Sequence, residues 1–163
     1  MTGRDSAQPV DQRAVTVWLA ELADRYRREL SGVAEVSVRF IDELGATATT
    51  LVPERAGAVG VNWVDFGSDG DLQVQVESEG GGGIFEDLAR DLEGVGDVEA
   101  IADAVVEGRV RELLGAGRSR VEVIESDGSV TAETAHSLWR GLLPVPGWRR
   151  SARIINYLPY RRA

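Results

Sequence analysis

The chain has 163 residues, no cysteine and a net charge of −9, which fits one domain and excludes disulfides and thiolate metal sites. Hydrophobic residues at 43% and charged residues at 28% suit a packed core rather than a disordered chain. All 18 basic residues are arginine, so Schiff-base, pyridoxal phosphate and P-loop lysine chemistry lack their amine, and no cofactor is expected.

Residues 1–10 read as a disordered leader ending near Pro9, ahead of a single α+β domain over 11–163. The polar start is not a signal peptide, and no run of about 20 apolar residues could span a bilayer. The expected compartment is the cytoplasm. A first helix is predicted from about Asp11 to Leu30, because Val15, Trp18, Leu19, Leu22, Tyr26 and Leu30 recur at three- and four-residue steps. Asp11 is its N-cap and Gly32 its stop.

Strand patterns follow. Glu35–Ile41 alternates with Val36, Val38 and Phe40 on one side, and Leu51-Val52 closes a Thr- and Ala-rich stretch. Val59–Phe66 and Leu72–Glu77 flank Gly67–Asp71, where an Asp-Gly pair marks a hairpin. Gly80–Gly83 breaks the sheet. A short helix is predicted over Ile84–Leu92 and a longer one from about Asp97 to Leu114, ended by Gly115 and Gly117. Arg120–Glu125 and Ser129–Thr134 form a second hairpin around Ser126–Gly128. The aromatic end finishes in Ile154–Leu158.

These elements predict an α+β fold in two layers. A mostly antiparallel sheet of about five strands carries two main helices on one face, in the order α-β-β-β-α-β-β plus a packed C-terminal segment. The element order is similar to that of secretion-chaperone-like domains, which bind other polypeptides. The likeness covers order alone and no motif.

Charge is distributed unevenly. Before Arg140 stand 12 arginines and all 27 acids; Arg140, Arg149, Arg150, Arg153, Arg161 and Arg162 follow with no carboxylate among them. Residues 65–107 hold 13 acids and one arginine. Such a face keeps a protein soluble or steers a basic partner toward it. Asp65, Asp69, Asp71, Glu77, Glu79, Glu86 and Asp87 are therefore the candidate protein-binding residues. The expected function is non-enzymatic binding of another, possibly basic, polypeptide in an inhibitor-like, immunity-like or chaperone-like role, with a homodimer as an option.

The alternative is an anion binder that uses Trp148, Arg149, Arg150, Arg161 and Arg162 to hold nucleic acid or an anionic surface by phosphate contact and stacking. Against it, a tethered segment meets its own body at an effective concentration about 10³-fold above a free partner's, worth about 4 kcal/mol. Ala152–Leu158 is therefore expected as an edge strand or docked segment, its arginines pairing with acids.

A carboxylate-based hydrolase is the third reading, and no acid is marked out for it. His136 beside Ser137 lacks the nucleophile-elbow pattern, and neighbours on a strand face opposite ways. Counted from Asp65, a calcium loop fails at its third and twelfth positions, where Gly67 and Val76 stand. The glycine run Gly80–Gly83 could cradle phosphate at a helix start, but Glu77, Glu79, Glu86 and Asp87 surround it, so a connector is expected. No catalytic residue and no metal ligand is assigned.

Overall fold

The computed structural model describes residues 12–67, 70–115, 117–136 and 146–161. The order is α1 (Gln12–Glu29), β1 (Ala34–Ile41), β2 (Ala46–Pro53), β3 (Val61–Asp65), β4 (Leu72–Val76), β5 (Ile84–Leu88), α2 (Leu92–Val106), β6 (Val110–Gly115), β7 (Arg118–Ile124) and β8 (Val130–His136). A one-turn 3-10 helix, Trp148–Ser151, then leads into β9 (Arg153–Asn156). The leader, the predicted cap Asp11 and Ser137 lie outside the described residues.

The fold is α+β with antiparallel pairing throughout. The expected single sheet is two sheets. One runs β1-β2-β3-β4-β5 and the other β8-β7-β6-β9. The extra strands come from two stretches that the apolar spacing assigns to helix. Ile84, Phe85 and Leu88 sit three and four apart, yet Ile84–Leu88 pairs with β4. In the longer stretch the helix starts earlier, at Leu92, and ends at Val106. Gly108, at φ +73°, reverses the chain there, and a Cβ at that position would collide with the backbone of Pro159. Val110–Gly115 continues as strand β6. Its alternation is hidden from a hydropathy reading because the central inward residue is Glu112.

Helix α1 buries Val15, Leu19, Leu22 and Tyr26 of the predicted stripe together with Ala23, and Leu30 is buried just past its end, whereas the expected Trp18 is 50% exposed because it lies at the margin of that face. Each large apolar side chain so buried contributes about 1.5–3 kcal/mol. The inner face of the larger sheet supplies Leu51, Val61, Trp63, Leu72, Val74 and Val76, and α2 adds Val98, Ile101, Ala102 and Val105. Val110, Val121 and Val123 of the smaller sheet join the same cluster. Tyr26 ties the layers together: its ring lies 6.0 Å from Trp63 and its hydroxyl donates to Asp103 at 2.7 Å.

The C-terminal segment packs as its composition predicts. β9 is the edge strand beside β6, Leu158 N–H donates to the Gly57 carbonyl at 2.9 Å, and the buried Tyr160 hydroxyl donates to the Val59 carbonyl at 2.9 Å.

Candidate functional site

The candidate acids of the sequence reading do not form one surface. Asp65 is 8% exposed and accepts two bonds from Arg90, from Nε at 2.6 Å and Nη2 at 2.9 Å. Gly67 N–H adds a third at 2.9 Å. Burial alone would raise the Asp65 carboxyl; the Arg90 guanidinium and the Gly67 amide outweigh it and hold the group below its ordinary range. Arg90 also donates to Gln12 and, at 2.8 Å, to Thr16 Oγ1. This pair fastens the start of α1 to the sheet and leaves Asp65 closed to a partner.

Glu79 pairs with Arg153 of β9, one of the acid–arginine contacts expected of the C-terminal segment. Burial, and then the nearby Glu77, push the Tyr160 hydroxyl above its ordinary range. Asp71, Glu86 and Asp87 are exposed. Asp69 lies outside the described residues.

The glycine run is not a loose connector but a close-packed anion cradle filled by the chain's own carboxylate. Glu112 on β6 is 0% exposed. Its Oε1 accepts from Gly80 N–H at 2.8 Å and from the Ser119 hydroxyl. Its Oε2 accepts from Glu79 N–H at 3.0 Å and from the Tyr157 hydroxyl at 2.6 Å. Gly82 N–H donates in turn to Ser119 Oγ at 3.0 Å. A Cβ at Gly80 or Gly82 would collide with Ser119, so glycine is required for the approach. Four donors satisfy a charge that would otherwise cost several kcal/mol to bury, and they join both sheets and the C-terminal segment at one point.

A different set of acids converges with no ion pair among the described residues. Between β5, α2 and the β7–β8 hairpin lies a cleft of about 130 Å³ lined by Phe85, Leu88, Ala100, Ile101, Thr131, Asp97 and Glu125. Glu93, one turn before Asp97 on α2, and Asp91, the N-cap that accepts from Gly94 N–H at 2.9 Å, act on Asp97 from outside this lining. Partial burial, then Glu93, Glu125 and Asp91, push the Asp97 carboxyl above its ordinary range. None of these four acids forms an ion pair among the described residues. Glu86 and Asp87, on the neighbouring strand β5, are exposed. The Glu93–Asp97 spacing was visible in the chain as a like-charge i, i+4 pair. Glu125 comes from a distant hairpin, and no local pattern announces its approach.

Among the described C-terminal aromatics, Trp148 and Tyr160 turn inward. Trp148 is 9% exposed, and the Arg118 guanidinium lies 5.9 Å from its ring centre, which leaves little of the ring open to a base. Arg149 and Arg150 are exposed. Arg161 donates to the backbone carbonyl of Glu29, and Arg162 lies outside the described residues. His136 is exposed at the end of β8. Among the described residues no three His, Cys, Asp or Glu side chains group as metal ligands, and no helix is long and apolar enough to cross a membrane. No protein-family profile, curated protein or solved structure matches this chain.

Proposed function

We propose that the protein is a non-enzymatic binder of a basic polypeptide segment, with the β5–α2 cleft as its docking site. Arginine or lysine side chains of the partner sit among Asp91, Glu93, Asp97 and Glu125, and an aliphatic side chain lies on Phe85, Leu88 and Ile101. The observation that carries this reading is geometric: Asp97 and Glu125 line a cleft floored by Phe85, Leu88 and Ile101, and neither forms an ion pair among the described residues. Elsewhere the chain pairs its partly buried acids, as at Asp65, Glu122 and Asp103. Perturbed groups beside a cleft concentrate at functional sites, and an unneutralised acidic rim speeds encounter with a basic partner. An inhibitor-like or chaperone-like role uses such a surface.

The test is calorimetric titration with a short peptide alternating arginine and leucine, over a range of salt concentrations. Binding that weakens as salt rises, and falls about tenfold or more in a triple variant Glu93→Gln, Asp97→Asn, Glu125→Gln, supports the reading. A peptide that ignores the three substitutions, or does not bind, overturns it.

A further inference from the structure

The four sheet edges are unequal. β9 is four residues long. β5 shows a register shift against β4 and carries Glu86 and Asp87, the latter at φ +59°; bulges and charges of this kind block strand addition. β8 is followed directly by residues outside the described set. β1 differs: it pairs with β2 over eight consecutive residues without a shift, and no described strand lies on its other side. Val38 and Phe40 on its inner face remain 47% and 58% exposed. They stand beside a cleft of about 290 Å³ between α1 and the sheet, lined by Leu19, Ala23, Val38, Thr49 and Trp63.

Backbone phase decides which groups this edge offers. Glu54 N–H donates to the Val33 carbonyl, and Glu77 N–H to the Gly60 carbonyl. Carried through the registers of β1 to β4, both bonds turn the main-chain groups of Glu35, Ser37 and Arg39 toward β2. Those of Val36, Val38 and Phe40 and the Ala34 carbonyl point to the open edge, while the Ala34 N–H already donates to the Leu30 carbonyl at 3.0 Å.

We infer that the β1 edge pairs antiparallel with β1 of a second copy of this chain, with Ser37 on the two-fold axis, to give a continuous ten-stranded sheet. In that register Val36 faces the partner's Val38 and Ala34 faces the partner's Phe40, which forms about six main-chain hydrogen bonds and covers the exposed apolar face. On the opposite face Glu35 meets the partner's Arg39, twice by symmetry, at the closely spaced non-hydrogen-bonded positions. Moving the axis by two residues to Arg39 sets like charges against each other, and an axis at Val36 or Val38 leaves Glu35 and Arg39 unpaired. The strand is self-complementary in one register. β1 and β5 are opposite edges of the sheet, so the dimer leaves the acidic cleft open and stands independently of the proposed function.

Sedimentation equilibrium tests the inference. Wild type is expected to dimerise in a concentration-dependent way, with Glu35→Arg and Arg39→Glu each weakening association about tenfold or more. An equimolar mixture of the two variants is expected to recover wild-type association, because arginines at 35 and 39 in one chain then face glutamates in the other. Val38→Pro, which removes an open-edge N–H and no bond to β2, should give a folded monomer by circular dichroism. A wild type that stays monomeric up to roughly 0.5 mM, a dimer indifferent to both charge reversals, or a mixture that fails to recover overturns it.

Discussion

Glu112 and Asp97 are both carboxylates of the α2–β6 region, and they do opposite things. Glu112 is fully enclosed and meets four donors. Asp97 lies at the surface and meets three other acids. The first holds two sheets and a C-terminal segment together. The second gains no such donors, and under the proposed function it is kept for a partner's cation. In a chain with 27 acids, abundance says little about use; the partners of each acid say more.

Breaking the satisfied region should have the larger effects. Deleting residues 152–163 removes β9, the Tyr157 hydroxyl from Glu112 and the buried Tyr160. The expected loss exceeds about 5 kcal/mol, enough to abolish a cooperative melt. Arg90→Ala strands a buried Asp65 carboxylate and should cost about 3–5 kcal/mol in urea unfolding. The depressed Asp65 pKa also gives this pair a pH signature. Its contribution is fully present above the unfolded value of about 3.9 and is lost as pH falls through the lower folded value, so Arg90→Ala should flatten the acid limb of stability.

Smaller changes sharpen the contrast. Glu112→Gln turns an amide donor toward groups that are themselves donors, and should cost about 2–3 kcal/mol although its shape is kept. Tyr157→Phe removes one of the four donors and should cost about 1 kcal/mol.

Much of the architecture was legible. The α1 stripe, both Asp-Gly hairpins and the packed, carboxylate-free end at β9 follow from apolar spacing and turn chemistry. The second sheet was not, because β6 carries its charge at a buried inward position and its remaining apolar residues imitate a helical stripe. A polar residue in the core is recognisable only from the donors that converge on it, and Glu79, Gly80, Ser119 and Tyr157 are scattered along the chain. The acidic cleft was half legible. Its α2 acids fall inside the acidic run read from composition, whereas Asp65, which that run appeared to offer, is consumed by Arg90.

On the proposed function, the β5–α2 acids serve a partner and not the fold. The direct test measures thermal stability and peptide affinity together for Asp97→Asn. The raised folded pKa means that the charged form is disfavoured by folding at neutral pH, a cost relieved as pH falls through that value. The expected outcome is unchanged or slightly higher stability, by up to about 0.5 kcal/mol at this exposed position, together with weaker binding of the arginine–leucine peptide. Lower stability with affinity unchanged would contradict it.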